Sequence, residues 1–334
     1  MVDTLPCRTL PKVAPHAVPV IGVGAMPLSM RGRAEDVAII DHDDAIALLH
    51  TCFDAGLTLI DTARAYGPRF DALGHNERLV GEAVRTWRPV RDPVADPRAS
   101  AVPSPLTIVT KIGRLRPGPG QWAGDASRET LLRHAEQSAT YLGRIPDVVC
   151  LHRMDRQRPA AEAFSNMLAV TDAGLAGAIG LSNVTTAEFD LAWSVMGERL
   201  ALIENERSPR YRGDGAVVTA CVERGLAYLA WSPLGGIGDA ARLGELYPEF
   251  AAVGVEVGAT AQQVALAWLI AEGAAGPGAV IPIPGFTRAT TVAATVPAAT
   301  VVLTAQQVAR LSASPAGEGS LFPDLSVPAA AGGG

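Results

Sequence analysis

The chain has 334 residues, a net charge of −6 and a hydrophobic fraction of 48%, enough apolar material for two average domains or one large barrel. The acidic balance argues against a nucleic-acid partner, because such proteins carry clustered basic surface. The four cysteines have neither zinc nor disulfide spacing, so we expect no metal site. Neither a signal peptide nor an apolar run of about 18 residues is visible, so we expect a cytoplasmic protein with reduced thiols and no membrane partner.

Short apolar runs alternate with amphipathic stretches along the chain, which is typical of parallel βαβ units. The predicted strands are Val18–Val23, Leu57–Asp61, Thr107–Lys111, Asp147–Leu151, Ala178–Leu181, Ala201–Glu204, Leu226–Ala230 and Ala279–Pro282. The predicted helices are Asp43–Ala55, Asn76–Thr86, Arg128–Leu142, Pro159–Ala173, Thr186–Val195, Gly215–Arg224, Thr260–Glu272, Thr287–Thr295 and Thr304–Ser312. Eight strands, each followed by a helix, predict a single (β/α)8 TIM barrel with additional loops and a short C-terminal helix.

The whole chain is interpreted as one domain over residues 1–334, with a core of about 17–312. The extra length falls in loops rich in Pro and Gly at 88–105, 116–125 and 235–258, and in the tail 313–334. That tail has too little apolar bulk to order itself well. An open, doubly wound sheet is the alternative fold, but no GxGxxG motif follows the first strand to begin one.

One lysine stands out, because the chain has only two, Lys12 and Lys111, among 28 basic residues. Lys111 closes the third predicted strand, where Arg would be the ordinary choice of this chain for a positive charge. Asp61 ends the second strand, Tyr66 follows it closely, and His152 follows the fourth strand. In barrels of this kind the active site lies at the C-terminal ends of the strands. The sequence therefore predicts that these four polar groups meet.

The four groups have the chemistry that protonation of a carbonyl oxygen requires. A free Tyr titrates near ~10, so we expect the Lys111 ammonium to lower the pKa of Tyr66 and Asp61 to keep that ammonium charged. Tyr66 would then act as a general acid, and His152 would orient the oxygen as negative charge develops on it. Each residue alone has a plainer interpretation: Asp61 as a helix cap, Tyr66 as a rim aromatic and His152 as a loop histidine bonded to backbone.

Short motifs follow several predicted strands in a fixed order. They read DTARAYG at 61–67, NERLVG at 76–81, TKIG at 110–113, LH at 151–152, GLSN at 180–183, WSPL at 231–234 and IPG at 283–285. In this combination the chain resembles the aldo-keto reductase superfamily from about residue 20 to 299. The details of its motifs are similar to those of the bacterial aldose-dehydrogenase-like and pyridoxal-reductase-like branches. The resemblance implies a barrel that binds NADPH without a Rossmann fold. It also implies reversible hydride transfer with an aldehyde, ketone or sugar-type hydroxyl, with Tyr66 as proton donor and Lys111, Asp61 and His152 completing a tetrad.

The resemblance further implies a binding site for NADP(H), with NAD(H) possible. The residues carried over for it are Ser182, Asn183, Glu204, Trp231, Ser232, Leu234, Gly235, Gly285, Thr287 and Arg288. Ser182 and Asn183 would bond the nicotinamide carboxamide, and Trp231 would stack on the ring unless it is a core Trp that caps the barrel. Gly235 begins a Gly-rich loop that would approach the pyrophosphate, and Arg288 would bind the 2′-phosphate.

Two departures from the family pattern concern the cofactor. Glu204 stands where many members carry Gln, and an ionised carboxylate there would weaken NADPH relative to NADP⁺ and favour alcohol oxidation. The family's adenine-side Arg and Glu-Asn are replaced by Thr291, Ala294 and Thr295, so adenine binding is expected to be weaker or differently built, which leaves NAD(H) open as a cofactor.

The expected substrate is a small carbonyl compound or a sugar-like molecule. Met26, Phe70, Trp122 and Arg153 are the candidate substrate contacts, although Met and aromatic side chains in such loops serve equally well as loop packing. The insertion at 67–75 and the Arg-bearing third loop favour a polar, bulky substrate. The sequence leaves open a monomer or a homo-oligomer.

Two other classes of protein fit the same residues. One is a catalytically weak NADP-binding regulatory subunit of the same fold, which would work by association. The other is a Schiff-base aldolase with Lys111 as its nucleophile, although a lysine paired with Asp61 should stay protonated and react poorly.

Overall fold

The computed structural model describes residues 5–30, 39–88, 106–317 and 319–321 of the chain. Its strands are β1 (Cys7–Thr9), β2 (Ala17–Pro19), β3 (Val23–Gly24), β4 (Leu59–Asp61), β5 (Thr107–Ile112), β6 (Arg114–Leu115), β7 (Ala123–Gly124), β8 (Val148–Leu151), β9 (Ala178–Ser182), β10 (Leu200–Glu206), β11 (Ala227–Trp231) and β12 (Ala279–Ile283). Eight of them form one parallel sheet in the order β3-β4-β5-β8-β9-β10-β11-β12, while β1 with β2 and β6 with β7 form antiparallel hairpins. The predicted (β/α)8 barrel is thus confirmed.

The helices surround this sheet and mostly lie where they were predicted. They are α1 (His42–Asp54), α2 (His75–Thr86), α3 (Arg128–Leu142), α4 (Ala160–Asp172), α5 (Thr186–Met196), α6 (Gly215–Glu223), α7 (Ile237–Ala240), α8 (Leu243–Leu246), α9 (Pro248–Val257), α10 (Ala261–Glu272), α11 (Ala289–Thr295) and α12 (Ala305–Ala313). Short 3-10 turns occupy Met26–Leu28, Gly197–Arg199 and Val296–Thr300. The side chains of Ser127 and Thr260 cap α3 and α10.

The barrel is closed by contacts between its first and last strands. The amide of Gly22 donates to the carbonyl of Pro282 at 3.0 Å, and that of Gly24 donates to Pro284 at 2.9 Å. Gly24 also pairs with Gly285 in a parallel bridge. Closure brings the C-terminal ends of all eight strands onto one ring, which we call the C-terminal rim.

The interior of the barrel is apolar and is covered at its N-terminal end by the β1–β2 hairpin. This inner core combines Leu10, Val13, Ala14 and Val18 from the hairpin region with Leu59, Val109, Val148, Cys150, Ala178, Ala201, Leu202, Ala227, Leu229, Ala279, Ile281 and Ile283 from the barrel strands. Apolar side chains thus fill the barrel below the C-terminal rim, which leaves that rim as the place for polar groups.

The prediction of one first strand over Val18–Val23 is wrong, because the chain there forms two. Ala17–Pro19 pairs antiparallel with Cys7–Thr9, and the barrel strand is the short Val23–Gly24. Pro19 has no N–H to donate and ends the hairpin strand. The amide of Val20 then donates to the carbonyl of Pro6 at 3.0 Å before the chain enters the barrel.

The segment 235–258 was predicted to be a loop, but it contains the whole of α7, α8 and α9. Its glycine content favoured a loop in the sequence, but its apolar residues have helical spacing, and several of them, including Phe250 and Val253, are buried. The loop predicted at 116–125 ends in the second strand of the β6–β7 hairpin. The loop predicted at 88–105 lies outside the described residues except for 88, as does 322–334 of the tail. No single helix in the described ranges has the length and apolarity to cross a bilayer, and only the bent pair α9 with α10 reaches that composition when both are counted together.

Gly24→Ala should weaken closure of the barrel. A Cβ at residue 24 would lie 2.7 Å from the backbone oxygen of Ile283, so the first and eighth strands would have to move apart. We expect a loss of about 1–3 kcal/mol in the free energy of unfolding, measured by urea denaturation. Gly215→Ala at the start of α6 is the matched control, because a Cβ there meets nothing within 4 Å. Equal stabilities of the two variants would contradict this account of closure.

Candidate active site

The structure brings the four predicted polar residues together at the C-terminal rim. Asp61 is the last residue of β4, Lys111 lies near the end of β5, and His152 follows β8 directly. Lys111 is 1% exposed, and its ammonium donates to both carboxylate oxygens of Asp61 at 2.6 Å and to the carbonyl of Thr62 at 3.0 Å. An isolated ammonium could not be buried so deeply, and these acceptors replace the water it loses.

Tyr66 reaches the same place from the loop after β4. Its backbone is held on both sides, since its amide donates to Ala63 at 3.1 Å and its carbonyl accepts from the amide of Asn76 at 3.2 Å. The Lys111 ammonium lies 5.1 Å from the centre of the Tyr66 ring. The ring meets the His152 imidazole edge to face, with centroids 5.6 Å apart and planes at 86°. A phenol, an ammonium, a carboxylate and an imidazole therefore form one cluster.

The Lys111 ammonium lowers the pKa of Tyr66, as expected, but it does not set the net direction of the shift. Burial raises the pKa of the Tyr66 phenol, and the nearby Lys111 ammonium opposes this rise only in part. Burial also lowers the pKa of His152 well below its usual range, and the charges of Lys111, Arg153 and Arg114 lower it further. At neutral pH the cluster consequently contains a protonated phenol and a neutral imidazole.

Lys111 itself remains an ammonium. Burial alone would lower the pKa of its amine, but the Asp61 carboxylate and the adjoining Glu204 outweigh burial and raise that pKa well above the usual value. A protonated amine has no lone pair for attack on a carbonyl carbon. The electrostatics of the site therefore argue against the Schiff-base aldolase.

A fifth polar side chain, Glu204 of β10, belongs to the same cluster. It is 2% exposed, and its Oε1 lies 3.1 Å from the Lys111 ammonium. Burial and the adjoining Asp61 raise the pKa of Glu204 to about 8. The resemblance placed Glu204 beside the cofactor but did not indicate this contact. The available signal was its register, since residues at alternate positions of a barrel strand face the interior together.

Ser182 and Asn183 lie at the end of β9 next to this cluster. Asn183 has a positive φ of 61°, and its side-chain amide donates to Ser182 Oγ at 2.9 Å and to the carbonyl of His152 at 3.0 Å. Its backbone amide donates to the carbonyl of Glu204 at 2.9 Å. These bonds fix a polar wall of the site between β8 and β10.

The remaining candidate cofactor residues follow the last two strands. Trp231 ends β11 and is half-buried, Ser232 has a φ of 48°, and Gly235 a φ of 84° in a turn where its amide donates to the Ser232 carbonyl at 2.9 Å. Leu234 packs between two apolar cores. After β12, Gly285 and Arg288 are exposed and Thr287 is half-buried, and Arg288 is the residue that precedes α11. Trp231 is thus the last residue of its strand, and the others lie on the loops that follow β11 and β12 at the C-terminal rim.

Three buried polar atoms near the cluster have no hydrogen-bond partner among the described residues. They are His152 Nδ1, Asn183 Oδ1 and Glu204 Oε2. Buried polar atoms in folded proteins are nearly always bonded. Atoms of this kind at the rim suit a small ligand with several polar groups, such as an amide and a carbonyl.

The predicted substrate loops are joined by one arginine. Arg116 is buried, and its guanidinium donates to the carbonyls of Gly67 at 2.8 Å and Arg69 at 2.9 Å. The same guanidinium lies 4.9 Å from the ring of Trp122. The loop that carries Phe70 is thereby fastened to the β6–β7 hairpin. Sequence reasoning did not identify this role of Arg116.

The other two candidate substrate residues lie elsewhere on the rim. Met26 opens the 3-10 turn after β3 and is half-buried, and Arg153 follows His152 and is also half-buried. Neighbouring Met30 is buried, which favours packing for that side chain.

Comparison with known proteins agrees with this fold. The model of the aldo/keto reductase family matches residues 20–315. Pyridoxine 4-dehydrogenase of Escherichia coli is 31% identical over 264 residues, which are 75% of this chain and 80% of that protein. The 6-dehydroglucose reductase of Novosphingobium aromaticivorans is 28% identical over 259 residues, covering 75% and 78%.

Solved structures give the same result. An aldo-keto reductase complexed with NADPH superposes with a TM-score of 0.72 at 20% identity, covering 96% of this chain and 91% of its own. An aldo/keto reductase of Klebsiella pneumoniae, in complex with NADP and acetate, has a TM-score of 0.65 at 25% identity, covering 89% and 91%. Fold and relatives together define a barrel oxidoreductase. The chain belongs to the aldo/keto reductase family.

Lys111→Met should destabilise the protein, and more at pH 8 than at pH 5. The variant leaves Asp61 and Glu204 buried without their cation, for which a loss of roughly 3–5 kcal/mol is typical. Lys111 lowers the pKa of both carboxyls, so its loss raises both. A carboxyl group whose pKa is raised in the folded state lowers the free energy of unfolding as the pH rises above its unfolded pKa, which is 3.8 for Asp61 and 4.5 for Glu204. Urea denaturation at several pH values measures this.

Lys12→Met is the matched control for that measurement. Lys12 pairs with the exposed Glu198 on the surface, so its replacement should change stability by at most about 1 kcal/mol, with little dependence on pH. A Lys111 variant as stable as this control at pH 8 would show that the ammonium does not neutralise buried acids.

Proposed function

We propose that this protein catalyses reversible hydride transfer between NADP(H) and an aldehyde, a ketone or a sugar-type hydroxyl, with Tyr66 as the general acid in reduction and the general base in oxidation. The observation that carries the proposal is the buried Lys111 ammonium, which is bonded to Asp61 and lies 5.1 Å from the ring of Tyr66. His152 lies against the other side of the cluster, with its ring edge to face with that of Tyr66.

The side chains divide the proton chemistry among them. The bound nicotinamide would supply or accept the hydride. Tyr66 would donate its proton to the carbonyl oxygen as negative charge develops there, and the neutral His152 would orient that oxygen. Lys111 would stabilise the phenolate that Tyr66 becomes, and Asp61 would keep Lys111 charged.

The cofactor assignment rests on the polar wall and on the solved relatives. NADP and NADPH are bound by the two structures compared above. Ser182 and the unpaired Oδ1 of Asn183 suit the carboxamide, and Trp231 would stack on the ring. The turn at Gly235, with its positive φ, would let backbone amides approach the pyrophosphate. Arg288 would bind the 2′-phosphate.

For the substrate we propose a small polar carbonyl or hydroxyl compound. The two named relatives act, by their names, on pyridoxine and 6-dehydroglucose, which are both rich in hydroxyl groups. Met26, Phe70, Trp122 and Arg153 would line its path, and the Arg116 bonds would hold the second and third loops in place around it. A panel of aldehydes, ketones and sugars, followed by nicotinamide absorbance in both directions, tests the activity.

Tyr66→Phe should reduce turnover of the best panel substrate by about 10²–10⁴-fold, because it removes the proton donor. Binding of NADPH, measured by fluorescence titration, should stay within about threefold of wild type, since the phenyl ring remains in place. A variant that retains turnover within tenfold would refute the role of Tyr66. Failure of the wild-type protein to oxidise NADPH with any carbonyl would instead favour the regulatory subunit.

Arg288→Ala should weaken NADPH binding roughly tenfold to hundredfold, the value of a charged hydrogen bond to the 2′-phosphate. NADH lacks that phosphate, so its dissociation constant should not change. Arg199→Ala is the control, because Arg199 is an exposed arginine at the N-terminal end of β10, where it pairs with Asp172. Equal effects of Arg288→Ala on NADPH and NADH would remove Arg288 from the phosphate site.

A further inference from the structure

The cluster at the rim contains two buried carboxyl groups but only one ammonium group that can neutralise them. Lys111 is within bonding distance of two carboxyl groups, those of Asp61 and Glu204. The other titratable groups that act on Glu204 or on its partners are the Tyr66 phenol, the Cys150 thiol and the His152 imidazole. All three are uncharged at neutral pH, because burial raises the pKa of the phenol and the thiol and lowers that of the imidazole. One ammonium therefore faces two potential negative charges.

The two carboxyl groups also adjoin each other, because both lie within bonding distance of the same buried ammonium. Two ionised carboxylates in such contact would repel strongly away from water, so the pair must share a proton. Asp61 accepts from Lys111 through both oxygens at 2.6 Å, whereas Glu204 makes one longer contact of 3.1 Å. The cation thus favours ionisation of Asp61, and the proton belongs on Glu204. The raised pKa of Glu204, about 8, agrees with this charge count.

The position of Glu204 in the sheet places its proton next to the residues proposed to bind the cofactor. Glu204 is paired in register with Ser182, and its carbonyl accepts from the amide of Asn183. Its Oε2 has no hydrogen-bond partner among the described residues. Glu204 therefore adjoins the two residues that, in the proposed function, bind the nicotinamide carboxamide.

We propose that Glu204 is a neutral acid in the resting enzyme and that its proton is linked to the charge of the bound nicotinamide, so that NADP⁺ binding releases a proton that NADPH binding retains. This inference rests on the proposed function, since it requires the cofactor to bind beside Ser182 and Asn183. It replaces the expectation of an ionised Glu204 that discriminates against NADPH at all pH values.

The direction of the linkage follows from the charges. The ring of NADP⁺ is positively charged and favours the ionised form of a nearby carboxyl, so it lowers the pKa of Glu204. The ring of NADPH is uncharged and leaves the acid neutral. By reciprocity, ionised Glu204 prefers NADP⁺, and the preference for the oxidised cofactor grows as the pH rises.

Proton release on cofactor binding tests this directly. The wild-type protein is titrated with NADP⁺ and with NADPH at pH 7.5 by calorimetry, in buffers of different ionisation enthalpy. We expect a large fraction of one proton more to be released with NADP⁺ than with NADPH. The 2′-phosphate is common to both cofactors, so its ionisation cancels in the difference. An equal number of protons for the two cofactors would overturn the proposal without the need for any variant.

Cofactor affinity as a function of pH gives an independent measurement. From pH 6 to 9.5 the ratio of the dissociation constant of NADPH to that of NADP⁺ should rise, on the order of tenfold for each unit by which the pKa of Glu204 differs between the two complexes. Glu204→Gln keeps a neutral polar group of the same size, and its ratio should be independent of pH. Its calorimetric proton difference should vanish as well.

Glu77→Gln is the matched control for the pH series. Glu77 is also buried, and burial raises its pKa to about 7, within the same range, but its carboxyl accepts from Thr110, whereas that of Glu204 contacts Lys111. The ratio in this variant should rise as in wild type. A flat ratio for wild type, or a rise that persists in Glu204→Gln, would overturn the inference while leaving the proposed function intact. Binding of neither cofactor at any pH would overturn both.

Discussion

Burial of the Lys111 ammonium is the constraint on which the polar half of this molecule depends. A cation that is 1% exposed needs acceptors on every side, and Asp61, the carbonyl of Thr62 and Glu204 provide them. Those acceptors in turn must be held deep in the protein, where the low dielectric strengthens every charge interaction. The charge states of Tyr66 and Glu204 follow from this arrangement and not from their ordinary solution behaviour.

Closure of the barrel makes the arrangement possible. The residues concerned come from β4, β5, β8 and β10 and are separated by up to 143 positions in sequence. A parallel sheet that closes on itself brings the ends of these strands onto one rim, and the backbone bonds of Gly22 and Gly24 complete the ring. The apolar core inside the barrel keeps water away from the cluster from below. The position of the polar cluster therefore depends on the backbone bonds between the first and last strands that close the barrel.

The sequence predicted the strands and the rim residues well, because both are encoded locally. Apolar runs mark the strands, and Asp61, Lys111 and His152 stand at or just beyond strand ends. It did not predict the net pKa direction of Tyr66, since the depth of burial depends on how the loops fold over the residue. It also did not predict that Glu204 reaches Lys111, because strand periodicity indicates which side chains face the interior but not which of them meet across the barrel. The division of the first strand at Pro19 was also missed, because it depends on the missing N–H of proline and not on hydrophobicity.

The electrostatic state of the resting cluster explains how these parts act together. The Lys111 and Asp61 charges cancel, the phenol of Tyr66 retains its proton, the imidazole of His152 is neutral, and Glu204 retains the shared proton. The cluster therefore carries almost no net charge before reaction. In the proposed function, hydride transfer would create charge at two places, the nicotinamide ring and the substrate oxygen, and each would lie beside a group whose proton can respond. A site that is neutral at rest and surrounded by low dielectric is electrostatically prepared for charges that appear only during the reaction.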